Sequence, residues 1–193
     1  MTDPRTGGRL QLLMIAAIFI GPMVVAWLIY TPEGGWQPTS STANGELLEP
    51  VTLVTDEQLN VPREEQDSPY PGLWTLVQVG SGACDEYCSR SLYETRQVRK
   101  AMGKEDTRMQ RIMFLTDDLP LRENVAREHP GLLLFPANSE WTLAFIDAIE
   151  LQNPNDVYLV DPLGNLIIRF PAGMPMKEMH KDLKKLLSIS QIG

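Results

Sequence analysis

From Leu10 to Tyr30 the chain reads LQLLMIAAIFIGPMVVAWLIY, 21 residues without a charge. Beyond it, apolar residues come only in short runs separated by polar stretches. An uncharged segment of that length spans a bilayer as a helix. Gly21-Pro22 in its middle is tolerated better there than in a soluble helix, and Trp27 and Tyr30 stand where interface anchors belong. The later runs Trp74–Val79, Arg111–Leu115, Val157–Val160 and Leu166–Phe170 read as strands, the last two joined by the turn Asp161-Pro162-Leu163-Gly164-Asn165. Cys84–Met102 repeats Cys88, Leu92, Thr95, Val98 and Met102 near helical spacing and stops at Gly103. Leu121–Glu128 reads as a short helix closed by His129-Pro130-Gly131, and Glu140–Ile149 as a helix capped by Asn138 or Ser139. Met176, Met179, Leu183, Leu186 and Leu187 trace one face of a last helix. The type of Leu132–Phe135 stays open, and Glu46–Val61 suggests a strand or hairpin.

In order, these elements are β-α-β-α-(α)-β-β-α, an α/β, thioredoxin-like plan in which the early βαβ unit pairs parallel and the late hairpin antiparallel. The expected organisation is a short arm (1–9), a single transmembrane helix (10–30), a tether with an N-terminal hairpin (31–72) and the thioredoxin-like domain (73–193). Thr31 to Asn44, rich in Pro, Gly, Ser and Thr, has the composition of a flexible tether. Arg5 and Arg9 precede the span and no basic residue follows it closely, so the first nine residues are expected in the cytoplasm and the rest outside. The span is longer than a usual signal core and no A-x-A-like site follows it, so it reads as an uncleaved anchor.

Charge narrows the choice of partner. Without Arg5, Arg9 and Asp3, the remainder holds 15 basic against 24 acidic residues. That surplus argues against nucleic acid and against adhesion to anionic lipid. The chain contains no phosphate-binding glycine motif, no nucleophilic serine motif and no zinc-spaced histidines, so nucleotide and hydrolase readings have nothing to rest on.

The chemistry lies in Cys84 and Cys88, the only two cysteines, within Gly80-Ser81-Gly82-Ala83-Cys84-Asp85-Glu86-Tyr87-Cys88. Here a strand ends, a glycine loop turns and a helix begins, where unpaired N–H groups and the helix dipole favour a thiolate. Four residues along a regular helix separate two Cα atoms by about 6.2 Å, inside the range that a disulfide spans. The C-x-x-x-C pair can therefore close a disulfide or hold a soft metal between two thiolates. A static cross-link over so short a loop would add little stability, which favours chemistry over a staple.

The stretch from Leu73 to Leu187 resembles the Sco (SenC) family of cytochrome c oxidase assembly proteins, membrane-anchored thioredoxin-like domains with a C-x-x-x-C pair. The resemblance is carried by the strand before the thiols, the C-D-x-x-C spelling, the Tyr158-Leu159-Val160-Asp161-Pro162-Leu163-Gly164 turn and the terminal helix. It is closer still to small transmembrane proteins associated with proteobacterial oxidase assembly genes. The resemblance implies a bacterial inner-membrane protein with its domain in the periplasm. Its implied partners are oxidase subunits or other assembly factors.

One position departs from the pattern. Sco proteins bind copper through both cysteines and a histidine five residues before the tyrosine of the turn, and this chain has Asn153 there. A neutral amide is no substitute for imidazole as a copper ligand. His129 reads as a helix-end residue favoured by the dipole, and His180 lies within the last helix. Met174-Pro175-Met176-Lys177-Glu178-Met179-His180 offers soft ligands, but Met176 and Met179 share the apolar stripe and read as core. Pro154 is offset by one residue from the proline that faces the thiols in thioredoxins and is given no role.

Three functions follow from this reading. The first is a thiol–disulfide redox factor in assembly of the oxidase copper site, a thiol-disulfide oxidoreductase in which Cys84 attacks and the shielded Cys88 resolves. The second is a Sco-like chaperone that holds Cu(I) on the two thiolates; no cofactor is otherwise implied. The third is a non-catalytic assembly scaffold.

Overall fold

The computed structural model describes residues 4–29, 42–54, 69–70, 72–149 and 153–192. The stretch 31–41 of the expected tether, and residues 55–61 of the expected hairpin, lie outside the described residues. The chain divides into two compact units, Met1–Ser41 and Thr42–Gly193. In the first, helix α1 (Pro4–Ile29) runs through Pro22 without interruption. Its window Gln11–Leu28 has a mean hydropathy of 2.2 and is long and apolar enough to cross a membrane.

The second unit is a six-stranded mixed sheet with helices on both faces, a thioredoxin-like α/β fold. In chain order it contains β1 (Glu46–Leu53), β2 (Trp74–Gly80), α2 (Glu86–Ala101), a 3-10 turn (Gly103–Arg108) and β3 (Met109–Leu115). These are followed by α3 (Glu123–Glu128), β4 (Leu132–Phe135), α4 (Glu140–Ala148), β5 (Val157–Val160), β6 (Asn165–Phe170) and α5 (Met176–Ile189). The strand order is β1-β6-β5-β2-β3-β4. β2, β3 and β4 run parallel, while β5, β6 and β1 pair antiparallel. Leu132–Phe135, left open by the sequence, is thus the parallel edge strand. β1 falls inside the stretch read as tether and hairpin, and forms the opposite edge.

Every residue of β2 and β3 is buried, as expected for central strands covered on both faces. Their period of two still sorts side chains by face. Val77, Val79, Ile112 and Phe114 meet Trp141 and Phe145 of α4. Leu76 and Met109 meet Val98 of α2 and Met179, Leu183 and Leu187 of α5. Met176, expected on the same core stripe, is 40 % exposed. It sits in the first turn of α5, before that helix has closed onto the sheet. Just before β1, the backbone N–H groups of Asn44 (2.7 Å) and Gly45 (2.8 Å) donate to buried Asp182 of α5, which ties the incoming chain to the core.

Arg111 is the charged residue of β3: its side chain points to the α2 face and is 1 % exposed. One guanidinium nitrogen, Nη1, donates to the Leu92 carbonyl at 3.3 Å and lies 3.4 Å from Nδ1 of buried His129. Burial, with Arg99 and Arg96 nearby, pulls the Arg111 pKa down to about 10. His129 does end α3, but not as a cation favoured by the dipole. Burial and the adjacent Arg111 charge lower its pKa from 6.5 to about 4, so it is neutral at physiological pH.

The consequence is a defined acid sensitivity. Between pH 6.5 and about 4 the unfolded chain binds a proton at His129 that the folded domain refuses, so stability falls as pH falls through that window. His129→Gln removes this component. The drop in urea midpoint between about pH 7 and about pH 5 should therefore be smaller for the variant than for the wild type.

Candidate functional site

At the C-terminal ends of β2 and β3, two loops are stitched together and carry the cysteines. Thr116 donates its N–H to the Gly80 carbonyl, and Arg122 donates its N–H to the Gly82 carbonyl. The Asp117 carboxylate accepts from the Ser81 hydroxyl at 2.5 Å and from the Gly82 N–H at 3.0 Å. These bonds, the Ser81 hydroxyl first, hold the Asp117 carboxyl below its usual pKa. The contact is so close that a Cβ on Gly82 would lie 1.9 Å from the Leu119 carbonyl oxygen. Only glycine fits.

The loop then turns into α2. The Cys84 N–H donates to the Ser81 carbonyl, and Cys84 adopts φ +35°, a left-handed conformation that costs a non-glycine residue about 1–2 kcal/mol. Asp85 is the N-cap: its carboxylate accepts from the N–H of Cys88, three residues on, at 2.9 Å. The helix therefore begins at Glu86 and not at Cys84 as the periodicity suggested. Cys84 lies before the cap, and Cys88 lies in the first turn. The two are joined by a disulfide with a Cα–Cα distance of 5.1 Å, shorter than the spacing on a regular helix because Cys84 is folded back by its positive φ.

The two cysteines differ in access, in the reverse of the order expected. Cys84 is 1 % exposed and packs with Leu92, Met113, Leu115, Leu121 and Val125. Cys88, expected to be shielded, is half-buried. A hollow of about 390 Å³ opens beside the pair, walled by Ala83, Thr116, Pro154 and Asn155 as well as the two cysteines. Pro154 therefore shares this hollow with the two cysteines. Its partner in sequence, Asn153, does not line the hollow: its side chain accepts from the Asn155 N–H at 3.0 Å and shapes the turn into β5.

Neither histidine joins the cysteines. His129 is engaged with Arg111, and Nε2 of His180 lies 3.3 Å from the Ala101 carbonyl. Among the described residues, no group of three His, Cys, Asp or Glu side chains is arranged to hold a metal. Arg122, which the sequence did not single out, is the basic side chain at the site. Its Nη2 donates to the Cys84 carbonyl and lies 3.4 Å from the Ser89 hydroxyl. That hydroxyl is itself 3.7 Å from Cys84 Sγ.

A family model described as a transmembrane-like, thioredoxin-like, C-terminal domain matches residues 74–190, and its transmembrane-like N-terminal counterpart matches residues 2–31. The chain belongs to this family. Both halves of the family's architecture, an apolar N-terminal helix suited to membrane anchoring and a thioredoxin-like domain, are thus present. No curated protein matches the chain. Among solved structures it is similar to apo Sco1 from Thermus thermophilus, with a TM-score of 0.57 and 16 % identity over 77 % of this chain and 99 % of that one. Copper-bound yeast Sco1 gives a TM-score of 0.54 and 13 % identity over 78 % and 96 % of the two chains. Copper-bound ScoI from Arabidopsis thaliana gives 0.53 and 13 % over 77 % and 100 %. At these identities the shared property is the Sco-type thioredoxin-like fold.

Two substitutions probe the loop clamp. Gly82→Ala should cost about 2–3 kcal/mol by forcing the loops apart, read as a lower urea midpoint together with faster reduction of the disulfide. Asp117→Ala should lower the midpoint at neutral pH. Because the Asp117 pKa is lowered in the folded state, that contribution is present above the usual aspartate value and disappears as pH falls through the folded one. The two proteins should therefore draw together as the pH is lowered past the folded-state titration of Asp117.

Proposed function

We propose that this family member is a membrane-anchored thiol–disulfide redox factor in the assembly of the cytochrome c oxidase copper site, with Cys84 and Cys88 as the exchanging pair. The observation that carries the reading is the closed Cys84–Cys88 disulfide at the start of α2, with the partly exposed Cys88 beside an open hollow. A structural staple has no need of an open face, and a bridge over four residues contributes little chain entropy. Arg5 and Arg9 ahead of the span orient the domain to the periplasm, a compartment in which protein thiols are oxidised and reshuffled. The Sco-type fold supplies the link to oxidase assembly.

Copper is the alternative cargo. Two thiolates suit Cu(I), and reduced Cys84 and Cys88 are close enough to hold it between them. With Asn153 turned into the backbone and both histidines engaged elsewhere, the donor set among the described residues is two sulfurs, which does not fit Cu(II).

Trapping decides between exchange and scaffold. Single Cys→Ser variants of the full-length protein, run on non-reducing gels from acid-quenched cells, should in at least one case capture the disulfide form of a partner of the assembly machinery, the remaining thiolate attacking the partner disulfide. Absence of any adduct in both variants would leave the scaffold reading. A periplasm-only reporter fused after Gly193 should be active; activity of a cytoplasm-only reporter there would defeat the redox assignment.

The copper test is independent of trapping. Reduced full-length protein in detergent should bind Cu(I) only while both cysteines are present, and Cu(II) weakly at most. A tight Cu(II) complex lost on changing His129 or His180 would put the chaperone in place of the redox factor.

A further inference from the structure

We infer that exchange begins at Cys88 and releases Cys84, and that Ser89 and Arg122 receive the departing Cys84 thiolate. This rests on the redox reading above and assigns the order of events within it. Thiolate attack on a disulfide is in-line, so the attacked sulfur must be reachable from outside and the other sulfur must leave toward the interior. Cys88 is half-buried at the hollow, while Cys84 is 1 % exposed and enclosed by Leu92, Met113, Leu115, Leu121 and Val125. Both cysteines line the hollow, and Cys88 is the more exposed of the two.

An apolar wall is a poor place to leave a negative charge. The structure places two compensating groups there. The Ser89 hydroxyl lies 3.7 Å from Cys84 Sγ and donates to the Cys84 carbonyl at 3.5 Å; a half-cystine sulfur carries no hydrogen, so rotation of this one hydroxyl proton from carbonyl to sulfur supplies the donor for the departing thiolate. Behind it lies Nη2 of Arg122, 3.4 Å from Ser89 Oγ and bonded to the Cys84 carbonyl. Among the described residues Arg122 makes no ion pair, so its charge is not already neutralised. The opposing carboxylates are engaged elsewhere. Asp85 is bonded to the Cys88 N–H, Asp117 to Ser81 and Gly82, and Glu123 of α3 is paired with Arg127 at 3.9 Å. On α2, Glu86 is exposed and Arg90 is paired with Glu94.

The electrons balance with a protein dithiol as co-reactant. One partner thiolate forms a bond to Cys88 Sγ as the Cys84–Cys88 bond breaks, and the bonding pair stays on Cys84 Sγ. The second partner thiol, once deprotonated, attacks the partner sulfur of the mixed disulfide and expels the Cys88 thiolate. The partner is oxidised to a disulfide by two electrons, Cys84 and Cys88 are reduced, and the two thiol protons pass to solvent or to the new thiolates. Arg122 and Ser89 act as positioning residues.

The test uses oxidised full-length protein in detergent, a limiting amount of reduced glutathione and iodoacetamide present from the start, with the modified peptide sequenced by mass spectrometry. The expected species carries glutathione on Cys88 and carbamidomethyl on Cys84. The reverse labelling overturns the proposed order and leaves the redox reading intact, whereas failure of any thiol to open the bridge overturns both. In reduced Cys88→Ser protein, adding Arg122→Met should move the pH profile of Cys84 alkylation upward by about half to one unit, a three- to tenfold slower reaction near pH 7. Arg122→Lys should restore much of it, and Ser89→Ala should shift it in the same direction as the Met variant. An unchanged profile in Arg122→Met, with the fold intact by circular dichroism, overturns the role of Arg122.

Discussion

The clamp between the loop after β2 and the loop after β3 governs the rest of the site. Parallel neighbouring strands deliver both loops to the same end of the sheet, and Asp117 then collects donors from Ser81 and Gly82 across the gap, and from Leu119 within its own loop. The backbone approach at Gly82 leaves no room for a side chain. With residues 81 and 82 fixed, the chain has two residues in which to reach the Asp85 cap. Cys84 meets that limit by taking a left-handed conformation. The short span between the cysteines, the full burial of Cys84 and the partial exposure of Cys88 all follow from this geometry.

The order of strands and helices was legible because it depends on local periodicity. The start of α2 was not, because two local signals compete there. Cys84, Cys88 and Leu92 continue a helical stripe, while Asp85 ends it as an N-cap, and the cap prevails because its carboxylate satisfies the Cys88 N–H that the first turn leaves unpaired. The candidate pair itself could be read directly, since the chain has no other cysteine. Its surroundings could not. Asp117 lies 35 residues from Gly82, and Arg122 lies 38 from Cys84. No local pattern announces contacts made by loop closure at a sheet end. Pro154 shows a third kind of difficulty: counting from Tyr158 put it out of register, yet the turn held by Asn153 carries it to the wall of the hollow.

Arg111 and His129 extend the same scaffold beneath α2. A guanidinium in this position would be expensive to bury without acceptors, and it has two, the Leu92 carbonyl and the Nδ1 lone pair of a neutral imidazole. Arg111 thereby selects the histidine tautomer that carries its proton on Nε2. The pair links the middle of α2, the end of α3 and the centre of β3. It couples the ionisation of a residue far along the chain to the packing of the cysteine-bearing helix.

Polar groups also fasten α2 to the sheet on its other side. Gln78 of β2 donates to the Ser91 hydroxyl at 2.7 Å and accepts from the Thr95 hydroxyl at 3.1 Å. An apolar helix face can slide or roll by small steps, but directional bonds to successive turns permit one register. The body of α2 is therefore a stiff member anchored just beyond the cysteines. Opening and closing the Cys84–Cys88 bridge must be absorbed by the few residues between Gly82 and Cys88, a compliant joint between two rigid walls. The domain can change redox state while presenting an almost constant outline, and whatever distinguishes its two forms to a partner is confined to that joint.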